Sequence, residues 1–165
     1  MTFRELRDGF KIYSFYRYKE IEDLLKTKHT HIGSAVFKIL AENSFAHFKR
    51  ELRFNQTVTA VAIDDHARNG YSHTAILSNA LKCKNIKVSF GLLRAKNSVN
   101  YSGKSLEYRL NNPRDFIYKP NDSKYVILID DIVTTATTLY EAKQTILKCG
   151  IVPLFGLALA DASDI

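Results

Sequence analysis

At 165 residues the chain is sized for one domain with its own core, and 45% hydrophobic with 25% charged residues is ordinary for a globular protein. No apolar run approaches the length of a membrane span, and Met1 is followed by polar and charged residues rather than a signal-peptide core. Membrane-spanning and secretory classes are therefore set aside, and a cytoplasmic chain is expected. The net charge is +7, and residues 82–124, with ten basic and three acidic side chains, carry a surplus equal to that total. Such a concentration suits a polyanionic partner, either a phosphorylated metabolite or nucleic acid, and it equally suits a solvated lysine-rich loop.

In chain order, residues 10–16 (FKIYSFY) are aromatic and β-branched and predict a strand. Residues 18–28 place Ile21, Leu24 and Leu25 at helical spacing, and residues 34–50 continue with Val36, Phe37, Leu40 and Phe48 as a second amphipathic helix. Residues 58–63 (VTAVAI) read as a short apolar strand ending at Asp64 and Asp65, followed by a helix over 72–81 and a strand over 86–93. A strand over 125–129, a helix over 139–148 closed by Gly150, and a last strand over 152–159 complete the chain. The strands are near-continuous apolar runs alternating with helices, which predicts an α/β fold: a mainly parallel sheet flanked by helices. One domain spans 1–165, with residues 1–53 packing on a core over 58–160. Residues 94–124, weakly periodic and broken at Gly103, Pro113 and Pro120, predict a long basic loop, of a length that marks either a functional lid or a disordered segment. Cys83 and Cys149 sit in apolar-periodic segments and are expected to be buried free thiols; without a C-x-x-C pair no zinc is expected in this chain.

The chemistry concentrates in VILIDDIVTTATTLYE, residues 126–141. Asp130 and Asp131 would repel each other unless satisfied by a cation or by hydroxyls, and the natural complements are Mg2+ and the vicinal diol of a ribose. Thr134, Thr135, Ala136, Thr137 and Thr138 lead into a helix N-terminus, where free N–H groups, the positive end of the dipole and several hydroxyls suit a phosphate. Thr138 and Glu141 also fit a capping box, which needs no ligand and leaves the other threonines unexplained. No Walker-type glycine loop occurs, so a nucleoside triphosphate P-loop is excluded. An acid pair followed by a phosphate cradle describes a ribose 5-phosphate site. Ala136 stands where a glycine would give more freedom, and is expected to stay in a helical or bridge conformation.

These residues resemble the PRPP-binding signature of type I phosphoribosyltransferases. Arg68, Gly70, Tyr71, Ser72 and His73 are similar to the block after the first core strand in the competence protein F (ComF, also ComFC) group. Leu93-Arg94, Ser98, Leu106, Arg109 and Asn112 resemble a later segment of that group, and Tyr13 to Tyr16 with Ile21, Leu24, Leu25 and Lys28 its N-terminal stretch. Tyr101, Ser72-His73 and Ala136 depart from the group's pattern, and the four-cysteine zinc module that commonly opens its members is not in this sequence.

The resemblance implies a type I phosphoribosyltransferase-like sheet with a basic hood, and PRPP held by Asp130, Asp131 and residues 134–138. Mg2+ would be held through Asp130 and Asp131, directly or through water and PRPP. Pyrophosphate would meet Asp64, Asp65, Arg68 and Arg94. For His66 and His73 the reading as exposed polar residues stands ahead of a ligand role. The group's role implies natural transformation, with single-stranded DNA as a partner and other competence proteins at the inner membrane, to which the chain would be peripheral. Lys96, Lys104, Arg109, Arg114 and Lys119 are then the DNA-binding candidates, interleaved with Phe90, Tyr101, Tyr108, Phe116 and Tyr118. The alternative is an active enzyme that displaces pyrophosphate from PRPP with a nitrogen acceptor. No residue stands out as a general base.

Overall fold

The computed structural model describes residues 1–63, 70–97, 99, 101 and 105–163. Asp64, Asp65, His66, Arg68, Ser98 and Lys104 lie outside them. Among the described residues eight strands and six α-helices follow one another as β1 (Thr2–Glu5), β2 (Lys11–Arg17), α1 (Tyr18–Lys26), α2 (Gly33–Asn43), α3 (Phe45–Phe48), β3 (Val58–Ala62), α4 (His73–Ala80), β4 (Ile86–Ser89), β5 (Leu93–Ala95), α5 (Leu106–Asn111), β6 (Phe116–Tyr118), β7 (Tyr125–Val133), α6 (Thr137–Lys148) and β8 (Val152–Asp161). Six strands form one sheet in the order β1-β2-β8-β7-β3-β4, and β5 and β6 form a separate antiparallel ribbon. Only the β1–β2 pair of the large sheet is antiparallel; β2–β8, β8–β7, β7–β3 and β3–β4 are parallel. The expected α/β architecture with a mainly parallel sheet flanked by helices is what the chain adopts.

The apolar runs of the strands are explained by burial on both faces. In β7, Ile127 and Ile129 pack into a cluster with Phe37, Leu40 and Phe45 from α2 and α3 and Leu77 from α4. Val126 and Leu128, pointing the other way, pack into a second cluster with Leu139, Ala142 and Ile146 of α6. Neither face is free, so both periodic positions must be apolar.

The connection β3–α4–β4 moves toward one edge of the sheet and β7–α6–β8 toward the other, so the strand order reverses between β3 and β7. In open parallel sheets that reversal opens a crevice beyond the carboxyl ends of the two strands. Pro153 marks an irregularity at the other end: β8 carries one extra residue where Val126 pairs with Pro153 but Ile127 with Phe155. Proline has no N–H to give the ladder, and the strand bulges there.

Several boundaries differ from the sequence reading. β1 was not expected; its four residues pair with β2 at the sheet edge. The helix expected over 18–28 ends at Lys26 and passes into a 3-10 turn, Thr27–His29. The helix expected over 34–50 breaks at Ser44, whose backbone leaves the helical region (φ −126°, ψ −82°). The strand expected over 86–93 divides into β4, in the large sheet, and β5, in the ribbon. Residues 94–124 are more structured than a loop: Leu93, Phe116 and Tyr118 of the ribbon are buried against the α6 cluster, and Ser105 caps α5 by accepting the Tyr108 N–H at 3.2 Å. Cys83 and Cys149 are exposed rather than buried, because Cys149 caps the end of α6 and Cys83 lies in the turn after α4.

Candidate functional site

Strand β7 does not stop before the acid pair. It runs through Asp130 and Asp131 to Val133, still paired with β8 after its pairing with β3 has ended at Ile129–Ala62. The facial alternation slips there. Ile127 and Ile129 face the α2–α4 cluster, and Ile132, three residues on rather than two, rejoins it; Val133 joins the α6 cluster. The two carboxylates fill the slip. Each accepts the N–H of the following residue, Asp130 Oδ1 from Asp131 at 2.9 Å and Asp131 Oδ1 from Ile132 at 2.8 Å. Both side chains are half-buried. Burial first, and the adjacent Asp131 carboxylate second, push the Asp130 carboxyl up to about 7, opposed by the Asp131 N–H and then by the charges of Arg114 and Lys28. A second carboxylate that resists ionising is what a cation or a pair of hydroxyl donors would relieve.

Asp131 has a partner that the sequence reading did not place in the site. Lys28 Nζ, from the 3-10 turn, lies 3.2 Å from Asp131 Oδ2, a pair 103 residues apart in the chain. The turn that carries Lys28 is clasped from β3's exit. Tyr71 Oη donates to the Lys28 carbonyl at 2.7 Å, and His73 Nε2 lies 2.8 Å from the same oxygen. His73 is buried rather than exposed, between the rings of Phe37 and Tyr71. Gly33 is required beside this clasp: a Cβ there would fall 2.1 Å from Tyr71 Oη and 2.3 Å from the Thr27 carbonyl.

The threonine turn enters α6 through a residue of positive φ. Ala136 is the residue before α6, with φ 60° and ψ 9°, so it adopts the left-handed conformation and not the helical or bridge one expected. Its methyl is buried among the apolar residues under α6, away from the turn's polar side. Among the described residues no side chain caps α6, and the capping box expected of Thr138 and Glu141 does not form, since the helix begins at Thr137. The positive end of the helix dipole lies next to the Thr135 and Thr137 hydroxyls, which are 2.8 Å apart. Thr138 is half-buried in the first turn. Thr134 is held by two arginines: Arg4 Nη1 donates to its carbonyl at 2.6 Å and the Arg109 guanidinium donates to its hydroxyl.

The hood closes on this turn through Tyr101. Arg109 Nη2 donates to the Tyr101 carbonyl at 3.0 Å, and the Arg109 and Arg114 guanidiniums lie 5.5 and 4.9 Å from its ring centre. Glu141, freed from capping, accepts the Arg114 N–H at 3.0 Å. Arg109 and Arg114 thus belong to the cradle side of the hood. Arg94, Lys96 and Lys119 do not: all three are exposed, Lys96 pairs with Asp115 at 3.1 Å, and the Arg94 guanidinium lies against Gly91. Of the aromatic residues read as stacking platforms, Tyr101, Phe116 and Tyr118 are buried and cannot present a ring face, while Phe90 and Tyr108 are exposed.

Arg4, Lys28, Tyr71, His73 and Glu141 are the residues that sequence reasoning missed as parts of this neighbourhood. Lys28, Tyr71 and His73 lay within the motif stretches; Glu141 was read only as a capping-box residue, and Arg4 left no signal beyond its charge.

No protein-family model matches the chain, and no curated protein matches it. Among solved structures it is similar to a hypoxanthine phosphoribosyltransferase from Staphylococcus aureus, at 14% identity and TM-score 0.47 over 78% of this chain and 64% of that one. It is also similar to the orotate phosphoribosyltransferase of Aeropyrum pernix, at 15% and 0.46 over 99% and 75%, and to the hypoxanthine phosphoribosyltransferase of Trypanosoma cruzi, at 17% and 0.46 over 78% and 63%. The chain thus spans just under two thirds of the length of the first of these, and its own strand order, rather than these likenesses, establishes the architecture.

Proposed function

We propose that the chain binds PRPP together with Mg2+ in the crevice between β3 and β7, as a phosphoribosyltransferase-like protein. The observation that carries this reading is the N-terminus of α6, without a side-chain cap among the described residues, directly behind an acid pair at the strand-order reversal. In this reading the N–H groups of Thr137 and Thr138 and the hydroxyls of Thr135 and Thr137 take the 5-phosphate. Asp130 and Asp131 take the ribose diol and the metal. Arg109, already on Thr134, adds a positive charge to the phosphate's surroundings.

The residues fit Mg2+ of the kind that leans on its ligand. Among the described residues no cluster of three or more metal-binding side chains exists, and two adjacent carboxylates supply the share that protein gives when substrate oxygens supply the rest. Bound there, Mg2+ would neutralise the acid pair and stabilise negative charge on pyrophosphate as it leaves. If a nitrogen acceptor is present, the reaction is displacement of pyrophosphate at C1′, with positioning supplying much of the acceleration. Calorimetric titration with PRPP and Mg2+ tests the reading: binding that persists unchanged in Asp130→Asn/Asp131→Asn overturns it.

The competence role implied by the ComF resemblance rests on a narrower surface. Exposed Arg94 and Lys119, with exposed Phe90 and Tyr108, combine charge with accessible rings on the outside of the hood. We read this face as the place for single-stranded DNA. Affinity for an oligothymidine should fall steeply with salt and drop in Arg94→Glu/Lys119→Glu. Salt-independent or undetectable binding removes the DNA role and leaves PRPP binding standing. Among the described residues no helix is long and apolar enough to cross a membrane.

A further inference from the structure

The acid pair already has a cation. Lys28 Nζ sits 3.2 Å from Asp131 Oδ2, with the two side chains 28% and 17% exposed. A lysine reaching from a flexible loop would be a weak partner, since fixing its long side chain costs entropy. This one is not free to wander at its root. Its carbonyl oxygen is held from two directions, by the Tyr71 hydroxyl at 2.7 Å and His73 Nε2 at 2.8 Å, and the neighbouring Gly33 leaves room for nothing larger than hydrogen where Tyr71 passes. His73 is itself fixed in the core against Phe37. The backbone that launches Lys28 is therefore a built element, tied to the segment between β3 and α4, and the ammonium is delivered to the acid pair before any ligand arrives.

We propose that Lys28 is the resident counter-cation of Asp131, and that it makes divalent metal binding conditional on an anionic ligand. This rests on the acid pair being the cation site. A divalent ion approaching the free chain meets two carboxylates, one of them already neutralised, and must move an ammonium aside at a distance where like charges repel. A polyphosphate ester that arrives with the metal changes the balance, because its own oxygens offer Lys28 a new partner as it leaves Asp131. The chain would then bind metal and ester together, and metal alone poorly. Lys28 acts here on selectivity and order of binding, as a positioning group for the carboxylates rather than a group at the reacting atoms.

The test is metal affinity without any ester. Mn2+ alone is titrated into wild type and Lys28→Met at low ionic strength and followed by the loss of the free-ion paramagnetic signal. Lys28→Met should bind Mn2+ about fivefold tighter or more, and the gain should vanish when Asp131→Asn is added. Equal or weaker binding by a folded Lys28→Met overturns the proposal. Should that variant fail to fold, wild type decides alone: the rate of covalent labelling of Lys28, read by mass spectrometry, should change as PRPP with Mg2+ is added, because the ammonium exchanges Asp131 for ester oxygens, and stay flat with Mg2+ alone. A change with Mg2+ alone, or no change with both in a protein that binds both, overturns it equally. PRPP with Mg2+ is titrated in parallel. If neither protein binds it yet Lys28→Met still gains Mn2+, the PRPP reading fails and this one stands; if wild type binds it and the Mn2+ gain is missing, this one fails alone.

Discussion

Glu141 accepts the backbone N–H of Arg114 at 3.0 Å, and this one bond ties the return segment of the hood to the first turns of α6. Burial raises the Glu141 carboxyl above the usual carboxylate range, with the Arg114 N–H and guanidinium opposing the rise. Glu141→Ala should cost about 1 kcal/mol of stability and speed amide hydrogen exchange in residues 93–97 and 105–118, leaving the large sheet protected. Glu141→Gln keeps an acceptor and should lose less. Exchange that accelerates equally in β3 and β7 would mean that the bond does more than hold the hood.

Arg4 crosses from the edge strand to the cradle. Its guanidinium pairs with Asp161, with Nε 2.8 Å from Oδ2, and also donates to the carbonyls of Val133 and Thr134. Arg4→Gln should lower stability by about 1–2 kcal/mol, tempered because the Arg4 side chain is 27% exposed. The loss should depend on pH in a definite sense. Burial would raise the Asp161 carboxyl, but the Arg4 guanidinium and the Ser163 N–H overcome it and hold it below the usual value. A lowered folded value means that the contribution is present above the ordinary aspartate range near pH 4 and lost as pH falls below it. Chemical denaturation of the two proteins should therefore diverge at neutral pH and converge on acidification.

Ala136 is held at φ 60°, where an L-residue is strained by about 1–2 kcal/mol, while its methyl gains about 0.8 kcal/mol by burial. The two effects nearly cancel, and glycine's extra unfolded freedom narrows the margin further. Ala136→Gly should thus lie within about 1 kcal/mol of wild type by urea denaturation, whereas a β-branched side chain in this backbone region should cost more than about 2 kcal/mol in Ala136→Val. A large loss in Ala136→Gly would show that packing of the methyl dominates.

Lys143 is a buried ammonium on α6, 2.6 Å from Asp8 and 5.0 Å from the centre of the Phe10 ring. Removing the carboxylate leaves that charge uncompensated, while removing the charge leaves an apolar stem in an apolar place. Asp8→Ala should lower the melting temperature more than Lys143→Met does. The reverse order would mean that the ring and the surrounding solvent satisfy Lys143 without Asp8.

What sequence could reveal was set by the range of the interactions. The run from Tyr125 to Ile129, the acid pair and the threonine turn are contiguous, so their place at the end of a buried strand and the start of α6 could be read directly. The slip in facial alternation at Asp130 and Asp131 could not, because it depends on β3 ending at Ala62 beside a β7 that continues. Nor could the Lys28–Asp131 pair, which joins residues brought together only by the folded sheet. Ribbon strands of three residues are too short for a period-2 pattern to stand out, and their burial comes from α6 rather than from their own sheet. Ala136 was misread for a local reason: the sequence shows which residue replaces the glycine, but only the turn's geometry demands a positive φ.

The contact between Arg4 and Asp161 also joins the start of β1 to the end of β8. The two strands flank β2 on either side, and Thr2 and Asp161 lie opposite Ser14 and Arg17 of that same strand, so both positions stand at the crevice rim, one strand apart. A short linker joining Thr2 to Asp161, with the chain opened in the exposed turn at residues 82–85, would make a circular permutant whose termini lie at the opposite, amino-terminal end of the parallel strands, before β4.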